Sequence, residues 1–228
     1  DGIKYYYKLS NFDTVRGIYG HEYLNEIVAQ NIADALKIPH LEYDLIYAEV
    51  KIDRKNYRTW LTRSIDFKKP GEHKLAFETY YEINKNPDED VWEFIVRSRL
   101  EQYFYQIFLL DYLICNRDRH GANTEILEKQ GTYRVAPVFD NLLFSCYNDG
   151  KAMEGFDRLK DGPVNNFVGT MSLTENLKAV PENLLDEVKP VDLREEVIFK
   201  DMKNVRQSED AAVPWQLRTS TIFQSLSP

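Results

Sequence analysis

The chain has 228 residues, 43% of them hydrophobic and 29% charged, which is enough length and apolar content for a globular protein with a sizeable core. Its formal net charge of -8 argues against a nucleic-acid binder, because phosphate contacts need a clustered basic surface, although a local patch around Arg117 and Arg119 stays open. The two cysteines, Cys115 and Cys146, follow no C-x-x-C spacing and are too few for a disulfide scaffold, which predicts buried thiols in a reducing, cytoplasmic setting.

Residues 1–66 are predicted to form a small, β-rich N-terminal lobe. The run IKYYYKL predicts a strand over Ile3–Leu9, and because the chain opens at Asp1 without an initiator methionine, we expect its natural start to lie upstream. Glycines and turn formers in SNFDTVRGIYG predict a loop, and apolar residues at helical spacing predict an amphipathic helix over His21–Leu36. Two strand-like runs, LEYDLIYAEVKI and YRTWLTRSI, flank the polar turn DRKN and predict a hairpin.

A polar stretch that contains adjacent proline and glycine predicts a linker over residues 67–74, followed by a larger, mostly helical lobe over residues 75–228. Apolar residues at spacings of three and four predict helices over Leu75–Ile83 and Val91–Cys115. The apolar run inside the second helix is far shorter than the about 20 residues that cross a membrane, so no membrane span is predicted.

A second hairpin is predicted beyond that helix, where TEILE and TYRVAPVF flank the turn EKQG. A Gly- and Asn-bearing loop region is then predicted to about Thr174, because its residues favour turns. Helical patterns follow near residues 182–187 and 193–202, and the tail carries no pattern that predicts an element.

Six polar residues lie in the eight-residue stretch NRDRHGAN, directly after the apolar helix. Asp118 and Asn123 are five apart, as in the kinase catalytic loop H-R-D-x-x-x-x-N, where the Asp accepts the substrate hydroxyl proton and the Asn holds a metal ion. Asp140 follows in VAPVFDN, where such an enzyme needs a second metal-binding Asp. The spacing therefore predicts phosphoryl transfer with ATP and Mg²⁺ as cofactors.

A cation for the nucleotide phosphates is predicted at Lys8, near the end of the first strand. Glu22 and Glu26 lie four apart on one face of the next helix, so either can pair with that amine. The order of strand lysine, helix glutamate, hairpin, linker, long helix, polar loop, hairpin and Asp predicts an α+β, bilobal protein-kinase-like fold. Its N-lobe would be small and β-rich, and its C-lobe larger and mostly α-helical.

Each of these residues also has a purely structural interpretation. A lysine on a strand and a glutamate on a helix are commonly solvated surface charges. Asp118, Asn123 and Asp140 are residue types that cap helices and form turns. His120 can be a hydrogen-bonded structural histidine, and with His21 it lacks the spacing of a metal site. The joint order of the set, rather than any one member, favours the kinase hypothesis.

The segment DYLICNRDRHGANTEIL, followed by YRVAPVFDNLL, resembles the catalytic core of the HipA-like serine/threonine kinases, bacterial proteins related to the toxin of a toxin–antitoxin pair. The similarity is to the pattern N-x-D-x-H-x-x-N followed by a-P-x-x-D. The stretch NEIVAQNIADALKI is similar to the N-E helix of the same family and favours Glu26 over Glu22 as the partner of Lys8. The resemblance covers the chain from Tyr6 to Phe144.

The resemblance implies a role for each motif residue. Asp118 would be the catalytic base and His120 would support its loop, while Lys8, held by Glu26, would bind the phosphates. The Mg²⁺ ligands would be Asn123 and Asp140. The implied reaction is phosphoryl transfer to Ser or Thr of a protein substrate, with a possible antitoxin or regulatory partner.

This sequence differs from known kinase motifs at two points that affect the roles given above. The phosphate-cradling loop of the family lies upstream of the lysine strand, and no G-x-x-x-x-G-K-[ST] or G-x-G-x-x-G pattern occurs in this sequence. Asn116 stands where protein kinases of eukaryotes have His, which suits the HipA-like pattern. A nucleotide- or partner-binding pseudokinase and a small-molecule or lipid kinase of related fold stay open as alternatives. Ser10, Thr14 and Ser145 are open as autophosphorylation sites, and none is distinguished.

Overall fold

The structure is a computed structural model that describes residues 2–20, 22–141, 163–188, 194–198 and 200. It is a mixed α/β fold of small sheets and helices. His21, Ser145 and Cys146 lie outside the described residues. Within the described part of the chain, no helix is both long and apolar enough to cross a membrane.

The first sheet is antiparallel and consists of β1 (Tyr5–Leu9), β4 (Tyr43–Ile52) and β5 (Lys55–Ile65) in the order β1-β5-β4. The predicted strands and their hairpin are confirmed. The turn is tighter than DRKN, because Asp53 and Arg54 alone form it, with φ of 48° and 68° as in a two-residue type I′ turn.

A short hairpin lies where the sequence predicts a loop, so that prediction was wrong. β2 (Asn11–Asp13) pairs with β3 (Gly17–Tyr19). The Asp13 carboxylate accepts hydrogen bonds from the backbone N–H groups of Val15 and Arg16, which closes the turn. Two strands of three residues are too short to show an alternating pattern in the sequence.

Helix α1 (Glu22–Ala35) confirms the predicted helix but not its predicted amphipathic character. The helix contacts β1, β4 and β5 as well as later helices, and 11 of its 14 residues are buried, so it is enclosed on most of its surface. Glu22 is 7% exposed and Glu26 is fully buried. The structural interpretation of these glutamates as solvated charges is therefore wrong.

The predicted linker runs directly into β6 (His73–Ala76), and α2 (Phe77–Asn84) follows. The helix predicted over Leu75–Ile83 therefore begins two residues later, because Leu75 and Ala76 pair with a strand further along the chain. The single helix predicted over Val91–Cys115 is two helices, α3 (Val91–Arg97) and α4 (Glu101–Ile114). Arg99 separates them in the left-handed conformation, with φ of 58°.

The remaining strands include β7 (Asp118–Arg119), β8 (Glu125–Lys129), β9 (Thr132–Val135) and β10 (Asn165–Asn166). The second predicted hairpin is confirmed, and it forms the sheet β6-β8-β9. The strand β10 pairs in parallel with β7, inside the segment that the sequence predicts to be a loop.

Three further helices are described, α5 (Leu173–Lys178), α6 (Glu182–Val188) and α7 (Glu195–Ile198). The sequence misses α5, which packs on α4 and is capped by Ser172 through a hydrogen bond from Glu175 N–H. The prediction near 182–187 is confirmed, whereas the one near 193–202 corresponds to four helical residues within the described part. The core lies between α1, α2, α3 and α4, and it buries Cys115 as predicted.

The predicted linker is fixed to β9 by one guanidinium. Arg134 donates to both carboxylate oxygens of Glu72, at 2.8 and 2.7 Å, and to the carbonyl oxygen of Phe67 at 3.0 Å. Hydrogen bonds from Arg134 lower the pKa of Glu72 to about 2. In the unfolded chain a glutamate has a pKa of about 4.3. The Glu72–Arg134 pair therefore stabilises the fold fully above that pH, and its contribution to stability disappears as the pH falls toward 2.

We therefore expect Glu72→Gln to lower the free energy of unfolding at pH 7. The difference from wild type should shrink between pH 4 and pH 2, since the wild-type carboxylate becomes protonated there. Urea unfolding of both proteins at pH 7, 4 and 3 measures this difference in the free energy of unfolding. A difference that does not change with pH would contradict the conclusion that the ionised Glu72 carboxylate stabilises the fold.

Candidate active site

One lysine bridges two carboxylates from distant parts of the chain. Lys8 Nζ lies 2.5 Å from Glu26 Oε1 and 2.5 Å from Asp140 Oδ1. Strand β1 supplies the lysine, the buried face of α1 supplies Glu26, and the segment after β9 supplies Asp140. The structure thus brings together three of the residues that the sequence singles out, and Glu26 rather than Glu22 is the partner. Glu22 instead accepts a hydrogen bond from Asn11.

The charge of this cluster is set by burial and by the two carboxylates. Burial of the amine opposes its charge, but Glu26 and Asp140 outweigh that effect and raise the pKa of Lys8 above its ordinary value. Burial, together with the Glu26 carboxylate, also raises the pKa of Tyr43, whose hydroxyl accepts a hydrogen bond from Asp140 N–H at 3.4 Å. Lys8 is therefore a fixed cation at neutral pH.

Asp140 has a backbone conformation that residues other than glycine rarely adopt. Its φ is 55°, in the left-handed region that favours glycine. Such strain is retained where surrounding contacts fix a residue, and it is common at functional sites. Here the contact with Lys8 and the neighbouring residues Phe139 and Asn141, both hydrogen-bonded to buried groups, hold the segment.

The polar loop begins at a helix end with defined capping. Cys115 ends α4 in the left-handed conformation, with φ of 52°, and Asn116 N–H returns to the carbonyl of Asp111 at 2.8 Å, as in a Schellman motif. The buried Asn116 side chain then accepts from Asp118 N–H at 3.2 Å. Asn123, in a short 3₁₀ turn, donates to the carbonyl of Asp118 at 2.9 Å. These bonds fix the backbone on both sides of Asp118.

The Asp118 carboxylate is partly exposed and has a different neighbour at each oxygen. Oδ1 accepts a hydrogen bond from Asn165 Nδ2 at 2.8 Å, and Oδ2 lies 3.9 Å from His120 Nε2. His120 Nδ1 accepts from Ala122 N–H at 3.2 Å, so the ring is oriented by its own loop. This is consistent with a supporting position for His120, and its role stays a prediction.

Arg119 is a buried residue that the sequence interpretation missed. It is 5% exposed, and its guanidinium binds both oxygens of Asp111, at 2.7 to 3.3 Å, the carbonyl of Phe139 at 2.7 Å and Asn141 Oδ1 at 2.9 Å. Burial opposes its charge, yet Asp111 more than compensates and raises the pKa of Arg119. Arg119 is internal and therefore does not belong to the basic surface patch that was left open around Arg117 and Arg119. The signal in the sequence was Asp111, a charge that interrupts the apolar run from Ile107 to Cys115.

A continuous network joins the lysine cluster to the polar loop. The backbone N–H and the side-chain amide of Asn141 donate to Glu26 Oε2, at 3.1 and 3.3 Å, while Glu26 Oε1 binds Lys8. Asn141 Oδ1 accepts from Arg119, which follows Asp118 directly. The segment that carries Asp140 is therefore held between α1 and β7.

A cleft of ≈ 210 Å³ lies beside this network, and Lys8, Glu26 and Asp140 line it. The rest of its lining is mainly aromatic and aliphatic: Tyr6, Leu41, Tyr43, Ile65, Phe67 and Phe139. Among the described residues, the hydroxyl of Thr62, which also lines the cleft, is buried without a hydrogen-bond partner. An apolar wall next to a fixed cation suits a ligand with a flat apolar part and an anionic part.

Asn123 and Asp140 carry hard oxygen atoms of the kind that Mg²⁺ prefers, and the structure shows no complete metal site built from them alone within the part of the chain that it describes. No group of three or more His, Cys, Asp or Glu that could hold a metal occurs in the part of the chain that the structure describes. Asp140 has one carboxylate oxygen on Lys8 and is 40% exposed, and the Asn123 amide nitrogen is engaged while its oxygen is a hard donor. Mg²⁺ is commonly held by one or two protein oxygens together with substrate phosphates and water.

No protein-family model and no curated protein matches the chain. Among solved structures it is similar to the proinflammatory kinase CtkA of Helicobacter pylori, with a TM-score of 0.51 and 16% identity, over 88% of this chain and 84% of that one. HipA of Shewanella oneidensis MR-1, solved with HipB and operator DNA, aligns with a TM-score of 0.43 and 14% identity, over 88% of this chain and 61% of that one. The likeness to CtkA shows a kinase-like fold.

Proposed function

We propose that the chain transfers the γ-phosphoryl group of ATP to a hydroxyl, with Mg²⁺, and that the acceptor is Ser or Thr of a protein. One observation carries the proposal: Lys8 contacts both Glu26 and Asp140, and that cluster is joined through Asn141 and Arg119 to the loop of Asp118. A kinase-like fold and the HipA-like pattern around Asp118 support it.

Each residue has one task in this proposal. Lys8, oriented by Glu26, binds the nucleotide phosphates, and the apolar cleft wall receives the base. Asp140 and Asn123 hold Mg²⁺, which offsets negative charge on the phosphates when it is bound. Asp118 orients the acceptor hydroxyl and takes its proton, while His120 supports the loop. The transferred group passes from ADP to the acceptor oxygen as the new P–O bond forms.

A bilobal division belongs to the same proposal, with lobes over residues 1–66 and 75–228 and a linker over 67–74. The cleft supports it, since residues of the β1-β5-β4 sheet line the cleft together with Phe139 and Asp140, which follow β9. A protein partner that regulates the chain, such as an antitoxin, also stays a proposal.

The acceptor class decides between this proposal and its alternatives. The chain is incubated with γ-labelled ATP, Mg²⁺, a protein acceptor and a small-molecule mixture, and the label is separated into protein and small-molecule fractions. We expect label on protein Ser or Thr. Label found only on small molecules would favour a small-molecule kinase, and ATP binding without any transfer would favour a pseudokinase module.

Loss of the lysine amine is expected to weaken nucleotide binding. Lys8→Met keeps the length of the side chain but removes the charge, and charged hydrogen bonds to a buried partner are worth about 2–5 kcal/mol, so the Kd for ATP should rise by at least about tenfold. Calorimetric titration with ATP measures it. Lys4→Met is the matched control, because Lys4 is 62% exposed and pairs with Asp66 instead. Equal affinities for both variants would contradict the role of Lys8.

A further inference from the structure

Asn165 contacts the carboxylate that the proposed function uses, although it lies 47 residues further along the chain. Its Nδ2 donates to Asp118 Oδ1 at 2.8 Å. Asn165 is exposed, and the Asp118 side chain that it contacts is partly exposed. The sequence analysis predicts a loop at Asn165 and gives the residue no role.

The position of Asn165 is fixed by its backbone. Strand β10 runs parallel to β7, with Asn165 opposite Asp118 and Asn166 opposite Arg119. Asn165 N–H donates to the carbonyl of Arg117 at 2.7 Å, and the Arg117 guanidinium returns two bonds to Pro163, at 2.9 and 2.6 Å. The strand is thus docked without the side chain of Asn165, which leaves its carboxamide available for a task beyond docking.

We infer that Asn165 is a positioning residue for the reaction, an inference that rests on the proposed function. A carboxylate on a short side chain has two nearly equivalent oxygens. The bond from Asn165 occupies Oδ1 and holds the plane of the group, so that Oδ2 is the oxygen that faces the acceptor hydroxyl. In the transfer, the hydroxyl oxygen bonds to the γ-phosphorus, the bond to ADP breaks, and the hydroxyl proton moves to Oδ2 of Asp118.

The nucleotide is bound elsewhere, by Lys8 and the cleft, so Asn165 should affect the chemical step and not ATP binding. Asn165→Ala and the isosteric Asn165→Asp, which both lose the donor, should each lower kcat about 30-fold, within the range by which orientation of a proton acceptor contributes. The KM for ATP should stay within about twofold, because Asn165 does not line the cleft beside Lys8. Asn166→Ala is the matched control, because Asn166 bonds to the carbonyl of Thr170 instead.

A double-mutant cycle separates positioning from a structural role. If Asn165 acts through Asp118, then Asn165→Ala should cause no further loss of the residual rate in an Asp118→Ala background, since the two residues act as a unit. An equal loss in both backgrounds, or a wild-type rate for both Asn165 variants, would overturn the inference while the proposed function stands. A wild-type chain that transfers no phosphate would overturn both.

Discussion

Asp118→Asn is expected to lower kcat for phosphoryl transfer by at least about 100-fold, because proton transfer by a positioned side chain contributes about 10² to 10⁴ in rate. The variant keeps the shape of the side chain, and its amide oxygen can still accept the bond from Asn165. The variant loses the carboxylate oxygen Oδ2, so the proton that leaves the substrate hydroxyl has no group to receive it. The Kd for ATP should stay within about threefold, since Asp118 does not line the cleft beside Lys8.

Steady-state kinetics and a nucleotide titration on the same preparation separate the two quantities. Asp53→Asn is the matched control, because Asp53 is an exposed turn residue with φ of 48°, a conformation that asparagine adopts well. We expect no change in kcat for this control. A fall of less than about tenfold for Asp118→Asn would exclude Asp118 as the proton acceptor.

The second large effect is on stability. Arg119→Ala should lower the free energy of unfolding by about 3–5 kcal/mol, the usual cost of removing one partner of a buried ion pair. Asp111 is 3% exposed and would be left as an uncompensated buried charge. The carbonyl of Phe139 and the side-chain oxygen of Asn141 would each lose a donor as well. Urea unfolding at pH 7 measures the change.

A double replacement tests whether the unpaired charge of Asp111 causes the loss of stability in Arg119→Ala. Replacing both Asp111 and Arg119 with leucine removes the unpaired charge, so this variant should be more stable than Arg119→Ala. Arg58→Ala is a surface control, because Arg58 is 74% exposed and forms a long contact with Glu49, and it should change stability by less than about 1 kcal/mol. If the double variant were as unstable as Arg119→Ala, the loss would come from something other than the buried charge.

Local patterns in the sequence were enough for the elements that depend on neighbours in the chain. Helix α1 and the β4–β5 hairpin have long periodic runs, and both are confirmed. The break between α3 and α4 could not be predicted, because the left-handed residue is Arg99 and no glycine or proline marks it. Strand β10 could not be predicted either, since two residues carry no period and their partner β7 is distant.

The residues of the candidate site also fall into those that the sequence predicted and those that it did not. Residue order and spacing singled out Lys8 and Asp140, and the resemblance to the HipA-like kinases favoured Glu26 over Glu22. Lys8 contacts both carboxylates in the structure, while the roles of all three residues stay predictions. The residues that hold this cluster and the Asp118 loop in place were not predicted: Arg119, Asp111 and Asn141 in the buried network, and Asn165 beside Asp118. Each acts through a tertiary contact, and none has a spacing of its own. Only Asp111 left a trace in the sequence, as a charge inside an apolar run.

The most direct test of the central claim is one assay with γ-labelled ATP and Mg²⁺ on the wild type, Asp118→Asn and Asp140→Asn, with the labelled amino acid identified. We expect phosphoserine or phosphothreonine from the wild type and at least about 100-fold less from each variant, since one lacks the proton acceptor and the other a carboxylate for the metal. Equal labelling by all three proteins, or no transfer by a wild type that binds ATP, would contradict the assignment of this site to phosphoryl transfer.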